Sequence, residues 1–247
     1  MPTSAACLNT LLSALPQREQ TRILQCCERV DLTQDQLLQK AGERIHHVYF
    51  PLDSFILLAA GEGAHDVLGV ALVGHETMLG AWLLLGMDTA PLLARVQGGG
   101  SALRMPVADF SDVLATCPEF ERRLRAELHL IIRQMAQTTV CAVFHVVEVR
   151  LAYWLLMIHD RAPTDRFYLT HDRLARMLGV RRSGVTTAAG LLQRRKLVNY
   201  TRGHIVVLNR RGLEKASCPC YRVGRVDARK IVKALRHEHG AADAGSA

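Results

Sequence analysis

The chain has 247 residues, of which 49% are hydrophobic and 22% are charged, so it can bury the cores of two domains. Its richest apolar stretch, Met78 to Leu85, is far shorter than the roughly 20 residues that a bilayer requires. Met1 to Ala14 lacks the pattern of a secretion signal. We therefore expect no membrane partner and a cytoplasmic location.

The N-terminal half predicts a β-rich module. Between Asp31 and Pro106, short apolar runs alternate with turn residues, which is typical of a sandwich or barrel. The runs are Leu37-Leu38, Val48 to Phe50, Phe55 to Ala60, Val67 to Val73 and Ala102 to Met105. Gly98-Gly99-Gly100 is interpreted as a loop. Helical spacing over Leu8 to Cys27 and Val107 to Thr116 predicts a helix on either side of the module.

A long amphipathic helix is predicted after Pro118. Its stripe has steps of three or four residues, and we assign six of its members to a dimer interface: Leu124, Leu128, Ile131, Ile132, Met135 and Thr139. About 25 helical residues extend about 37 Å, more than one small domain covers. Self-pairing across a two-fold axis is therefore predicted, with packing inside the same chain as the alternative. His145 to Val149 interrupts the stripe and predicts a hinge, followed by a helix from Glu148 to Asp160.

Residues His171 to Gly190 predict two short helices that meet at a tight turn. Ala175 lets the helices approach, Gly179 permits the turn, and Val185 faces the small core between them. The positions in between carry donors suited to phosphates and base edges. We interpret this segment as a DNA-binding helix-turn-helix. An ordinary helical hairpin with a solvated basic face is the alternative.

A β-hairpin is predicted directly after these helices, where it would form a wing. Two runs with β-branched or aromatic residues flank the glycine-containing turn Thr201 to His204, and these runs are Leu197 to Tyr200 and Ile205 to Leu208. Residues 145–247 hold 20 Lys and Arg against 8 Asp and Glu, whereas residues 1–144 hold 11 against 15. Such a one-sided positive charge favours a polyphosphate partner.

This order of parts resembles the Crp/Fnr family of bacterial transcription regulators over roughly Leu8 to Tyr221. The segments that carry the resemblance are Val48 to Pro51, Val73 to Gly80, Val147 to Ala152 and Leu169 to Ile205. The resemblance implies an α+β fold with an N-terminal jelly-roll-like, cyclic-nucleotide-binding-like β-roll, a long dimerisation helix and a C-terminal winged helix-turn-helix. The implied divisions are 1–117, 118–145, 146–222 and a basic, flexible tail at 223–247.

The resemblance also implies a DNA-binding surface and partners. The residues assigned to DNA by position are Thr170, Arg181, Arg182, Ser183, Thr186, Thr187 and Arg202. Arg182, Ser183 and Thr187 are implied to read bases. Arg181, Thr186 and Arg202 are implied to contact phosphate. The implied partners are double-stranded DNA with inverted half-sites, a second copy of the chain, and RNA polymerase.

The sequence departs from the cyclic-nucleotide-binding members at the phosphate site. Those members use a Gly-Glu pair and an Arg-Ser pair, whereas here Ala81 follows Gly80 and the second position falls near Leu92-Leu93. A buried phosphate needs a cation and donors, which leucines do not offer. Arg95 is near enough to compensate, so Gly80 and Arg95 are the assigned effector-pocket residues. Cyclic AMP is nevertheless not the expected signal.

No resident cofactor or metal site is assigned. Seven scattered cysteines predict free thiols, and Cys7, Cys26 and Cys27 lack the spacing for an iron-sulfur cluster. Cys218-Pro219-Cys220 is a weak signal for a metal or redox role, which stays the alternative, and the prediction is surface or packing thiols. Histidines that could each ligate haem are His46, His47, His75 and His145, and nothing selects among them. The effector stays unknown.

Enzymatic motifs are missing from the sequence: it has no phosphate loop, nucleophile elbow or zinc-protease helix. We therefore predict a non-enzymatic regulator. The rival prediction is a small-molecule- or partner-binding β-roll whose basic C-terminal domain binds RNA or acidic proteins. A mobility-shift comparison of duplex DNA with single-stranded RNA distinguishes the two.

Overall fold

The computed structural model describes residues 9–62, 66–226 and 230. They form an N-terminal β-roll, one long helix and a C-terminal head of helices and a small sheet, as predicted. None of the described helices is long and apolar enough to cross a membrane. Most of the predicted tail, 223–247, lies outside the described residues, but 223–226 continue helical backbone that begins at residue 219.

The roll begins after two short helices, α1 (Thr10–Ser13) and α2 (Gln17–Gln25). Pro16 separates them, which corrects the single helix predicted over Leu8 to Cys27. The strands of the roll are β1 (Glu28–Leu32), β2 (Leu37–Gln39), β3 (His47–Pro51), β4 (Phe55–Glu62), β5 (Asp66–Val73), β6 (Leu93–Gly98) and β7 (Gly100–Pro106). They pair antiparallel in two sheets with the orders β1-β7-β3 and β2-β6-β4-β5.

The glycine run at 98–100 is where the chain passes from one sheet to the other. Gly98 ends β6 and Gly100 begins β7, so the predicted loop is reduced to Gly99. A Cβ atom at Gly98 would lie 2.1 Å from the ring of Phe55. Only glycine therefore allows this close approach. Strands β1 and β6 were not predicted.

Helices α3 (Val107–Thr116) and α4 (Pro118–Phe144) follow the roll. The structure corrects half of the predicted dimer stripe on α4. Leu124, Leu128 and Ile131 are buried in the core of their own roll, so they do not lie on a free face. Ile132 and Thr139 are exposed and Met135 is half-buried.

The head is built around α5 (Val147–His159), in which every residue from Arg150 to Ile158 is buried. The elements after it are β8 (Arg166–Tyr168), α6 (His171–Leu178), α7 (Arg182–Arg194), β9 (Val198–Thr201), β10 (His204–Val207) and α8 (Arg210–Ala216). The predicted hairpin β9-β10 is confirmed. Its turn residues Arg202 and Gly203 have φ of 51° and 85°, a two-residue turn that needs positive φ at both positions. Strand β8, which sequence reasoning missed, adds a third strand in the order β8-β10-β9.

The head packs directly on the roll. Gly69 in β5 makes this possible, because a Cβ there would lie 3.1 Å from both the Met177 carbonyl oxygen and the Trp154 ring. At the rim, Arg173 of α6 forms an ion pair with Asp35. The Gln34 amide donates to the Tyr168 carbonyl at 3.0 Å. Roll and head therefore share one interface.

The turn between α6 and α7 has the predicted chemistry. Gly179 ends α6 with φ of 61°, and its N–H bonds back to the carbonyls of Ala175 and Arg176. Val185 is fully buried and Ala175 nearly so. The sequence-based assignment of these three positions is confirmed.

Gly179 and Gly184 make a matched pair of alanine substitutions. Gly179→Ala should destabilise the fold by about 1–2 kcal/mol, because the residue is left-handed and its new Cβ would lie 3.0 Å from Leu68. Gly184→Ala, inside α7 with nothing within 4 Å of the new Cβ, should be neutral or stabilise by up to about 1 kcal/mol. Urea unfolding of both variants without DNA measures the difference, and equal effects would contradict this account of the turn.

Candidate nucleic-acid interface

Helix α7 has one face in the core and one in solvent. Val185, Ala188, Ala189 and Leu192 are buried against α5 and α6. The exposed residues at its start are Arg181, Arg182, Ser183, Thr186 and Thr187. The structure thus brings all five sequence-predicted residues of this helix onto one solvent-facing surface at its N-terminal end.

Arg182 is available to a ligand. Its guanidinium lies 3.5 Å from the Asp172 carboxylate, and both side chains are more than half exposed. An exposed ion pair of this kind contributes little, so phosphate or a base edge can replace the carboxylate at small cost.

The two threonines present less donor capacity than the sequence suggested. The hydroxyls of Thr186 and Thr187 donate to the carbonyls of Arg182 and Ser183, each at 3.1 Å. Since a hydroxyl has one proton, the groups left facing outward are the methyls and the oxygen lone pairs. These suit the thymine methyl group and the amino groups of adenine or cytosine.

A histidine and a tyrosine that sequence reasoning missed connect the wing to α7. His171 stacks on Tyr200 with ring centroids 4.3 Å apart, and its Nδ1 lies 3.0 Å from the Thr186 hydroxyl. Burial, with Arg182 nearby, lowers the pKa of His171, so the ring stays neutral at neutral pH. The Tyr200 hydroxyl donates to the Leu169 carbonyl at 2.8 Å. An aromatic residue in a wing strand was the only sequence signal.

The remaining two predicted DNA contacts differ in position. Arg202 is exposed at the tip of the wing. Thr170 is half-buried and caps α6, because its hydroxyl accepts from the Arg173 N–H at 3.3 Å. Thr170 therefore has a structural role whether or not DNA is bound.

The structure does not bring the two predicted effector-pocket residues together. Gly80 has φ of 102° and begins a short 3-10 helix, Ala81–Leu85, and a Cβ there would lie 2.7 Å from the Val48 side chain. The positive φ and the close Val48 side chain explain why this position is a glycine. Arg95 instead lines a cavity of about 290 Å³ between the roll and α6, and Gly80 is not among its lining residues.

That cavity, which we call the roll–head cavity, is cationic. Its charged and polar lining residues are Asp35, Arg95, Gln97, Arg173 and Arg176. Arg95 donates to the Asp35 carbonyl at 3.0 Å. Among the described residues, the buried Gln97 Oε1 and Arg173 Nη1 are left without a hydrogen-bond partner. A polar ligand could satisfy such atoms.

A second cavity, of about 270 Å³, lies between α4, α5 and the segment after α8. Glu127 lines it beside Glu76 and Arg161, and the Arg161 Nε donates to Glu76 at 2.7 Å. Burial, aided by the negative charge of Glu76, raises the pKa of Glu127 to about 8. The Glu127 carboxyl is therefore protonated at neutral pH.

Four side chains distant in sequence converge next to that cavity. Ligand atoms of Cys141, His145, Cys218 and Cys220 all lie within 4.8 Å of one another. Cys218 and Cys220 were predicted to be surface or packing thiols, and their burial rules out the surface role. A packing role does not explain this convergence. Cys141 and Cys218 are 77 positions apart, so their proximity was invisible in the sequence.

Comparison with known proteins finds one matching domain and a shared fold. The family model described as a Crp-like helix-turn-helix domain matches residues 149–216. No curated protein matches the sequence. Among solved structures, FixK2 from Bradyrhizobium japonicum is similar with a TM-score of 0.66 at 16% identity, over 78% of this chain and 98% of that chain.

Two further structures have the same architecture. A putative regulator of the Crp/Fnr family from Eubacterium rectale aligns with a TM-score of 0.63 at 13% identity, over 84% of this chain and 97% of that one. The c-di-GMP-responsive regulator CLP from Xanthomonas campestris aligns with a TM-score of 0.62 at 14% identity, over 78% and 99%. The matched domain identifies residues 149–216 as a Crp-like helix-turn-helix domain, and these solved structures share the fold of most of the chain.

Proposed function

We propose that the protein is a homodimeric, sequence-specific transcription factor that reads inverted half-sites in duplex DNA. The observation that carries the proposal is the exposed start of α7, where arginine, serine and threonine side chains occupy a face with no role in the core. Arg182, Ser183 and Thr187 would read bases. Arg181 and Arg202 would contact phosphate, and Thr186 would do so once its hydroxyl proton turns away from the Arg182 carbonyl.

An exposed seam on α4 supports the dimer. Its members alternate in steps of four and three residues, which is a heptad pattern: Arg125, His129, Ile132, Ala136, Thr139 and Val143. The end near the hinge is the more apolar, since Val143 and Phe144 are 70% and 76% exposed. Large exposed apolar side chains at this density mark an interaction surface. The proposed interface is thus displaced around the helix from the buried leucines.

The proposal includes a role for the roll as a sensor. A ligand in the roll–head cavity would contact Arg95 of the roll and Arg173 of α6 at once, so its binding would bias the position of the head. An anion suits the three arginines there. Cyclic AMP is not the proposed ligand, because Leu92 and Leu93 stand at the positions where the related site has its cation and donor.

The proposed location, the lack of catalysis and the protein partner all follow from the proposed role as a regulator that acts on DNA. It would work in the cytoplasm, without catalysis, and RNA polymerase is its proposed protein partner. The alternative, a binding module for RNA or acidic proteins, has no specific observation in its favour.

Selection of bound fragments from random duplex DNA tests the proposal. We expect a recovered site with two inverted halves about 10–10.5 base pairs apart between centres. Mobility shifts with the selected duplex should greatly exceed those with single-stranded RNA of equal length. Recovery of no common sequence, or equal binding of the RNA, would contradict the proposal.

Arg182→Ala and Arg202→Ala should weaken DNA binding in different ways. Arg182→Ala should cost about 1–3 kcal/mol on the selected site and relax preference at one base pair per half-site. Arg202→Ala should weaken all sequences alike and reduce the salt slope by about 1. Titrations against a series of single-base variants of the site measure both effects. Uniform loss in Arg182→Ala would remove its base-reading role.

Ile132→Glu tests the seam. In a dimer, the two introduced carboxylates would be buried close to each other across the two-fold axis, where like charges repel. This variant should therefore be monomeric at concentrations where the wild type is dimeric. The control is Leu37→Glu on strand β2 of the roll, an apolar residue of similar exposure (44% against 48% for Ile132), which should stay dimeric. Light scattering after size-exclusion chromatography gives the mass. A dimeric Ile132→Glu variant would place the interface elsewhere.

A further inference from the structure

The C-terminal end of α4 meets the segment after α8 at a compact cluster of three thiols and one imidazole. Cys141 lies in the last turn of α4, and His145 follows it by four residues. Cys218 and Cys220 stand on either side of Pro219. All three cysteines are buried and the histidine is half-buried. We call these four residues the thiol-imidazole cluster.

The spacing of the thiol-imidazole cluster fits one ion at its centre. The sulfurs of Cys141 and Cys218 are 3.4 Å apart, and the Cys220 sulfur is 3.8 Å from His145 Nδ1. Two sulfurs bound to one tetrahedral zinc ion lie about 3.8 Å apart, because each Zn–S bond is about 2.3 Å. An iron-sulfur cluster distributes its protein ligands over several irons and needs wider spacing.

A neighbouring side chain supports a ligand role for Cys220. The Gln137 amide, one turn before Cys141, donates to the Cys220 sulfur at 2.9 Å. Donors of this kind orient and stabilise thiolates that bind metals. A simple disulfide between Cys141 and Cys218 would leave Cys220, His145 and this amide unexplained.

We propose that Cys141, His145, Cys218 and Cys220 form a structural zinc site. Three thiolates and one imidazole are a ligand set that selects zinc in closed, four-coordinate sites. Binding releases the thiol protons, so each sulfur coordinates as a thiolate. The ion would join the end of α4 to the chain just after α8, and so bridge the break at 145–146 between α4 and α5. This break is shorter than the predicted hinge, His145 to Val149, because α5 already begins at Val147.

Metal analysis of the untagged, reduced full-length protein, expressed with zinc supplied, tests the proposal. We expect one zinc ion per chain. Replacement by Co²⁺ should give the visible bands of tetrahedral cobalt together with sulfur-to-metal charge transfer. This readout involves no DNA, so it succeeds or fails independently of the proposed function.

Single substitutions assign the ligands. Cys218→Ser and Cys220→Ser should lose the zinc and the cobalt spectrum, whereas Cys26→Ser, a cysteine between α2 and β1, should keep both. His145→Ala should weaken retention against a chelator, and His145→Cys should restore it with a shifted cobalt spectrum. Excess chelator should lower the Tm of the wild type but not that of Cys218→Ser.

Three results would overturn the zinc site. One is a wild-type protein without zinc whose cobalt form lacks the sulfur charge-transfer band. Another is a Cys141–Cys218 disulfide found by peptide mapping in place of bound zinc. The third is equal zinc in wild type and Cys220→Ser. The wild-type measurements do not depend on the folding of any variant.

Discussion

The burial of α5 on all sides is the constraint on which the rest of the structure depends. Trp154 and its neighbours in this helix contact α7 and α8 within the head and, through Gly69, the sheet of the roll. The buried stretch of α5 begins with Arg150, whose guanidinium donates to the Leu178 carbonyl, and continues with residues 151–158, which are all apolar or aromatic. A helix that is apolar on every side over such a stretch must be enclosed. Enclosing it draws the head onto the roll and leaves the polar face of α7 as the surface that remains in solvent.

The same arrangement explains why the roll could influence DNA binding. The head touches the roll through α6, the helix that precedes the recognition helix, and the Arg173–Asp35 ion pair lies at that contact. Any ligand in the roll–head cavity would act on α6 directly. The thiol-imidazole cluster lies at another connection, between the end of α4 and the segment after α8. The head thus contacts the roll through α6 and through the Arg161–Glu76 ion pair, and it contacts the end of α4 at the thiol-imidazole cluster.

Local chemistry predicted the head well. Gly179 meets the need for a positive φ at the turn, and Val185 meets the need for an apolar side chain in the small core. Both needs arise within a few neighbouring residues, so both roles could be predicted from sequence. The five exposed residues at the start of α7 could then be predicted, because they are the positions of this segment that the core does not use. The hairpin turn at Arg202-Gly203 was likewise a local signal.

Contacts distant in sequence were the ones that sequence reasoning missed. The stripe on α4 is wide enough to serve both the roll and a partner, and periodicity alone could not say that Leu124, Leu128 and Ile131 face the roll. Arg95 was assigned to the effector pocket because it lies two or three residues after Leu92-Leu93, yet it lines the roll–head cavity. The thiol-imidazole cluster depends on how α4 and α8 pack, and no spacing rule spans such a separation.

The central claim is that two copies of α7 enter adjacent major grooves. Methylation protection on the selected site tests it most directly, because dimethyl sulfate attacks guanine N7 in the major groove. We expect protected guanines in both half-sites, with protection lost at the base pair read by Arg182 when that residue is alanine. Protection in one half-site only, or none at N7 in a complex of full affinity, would contradict it.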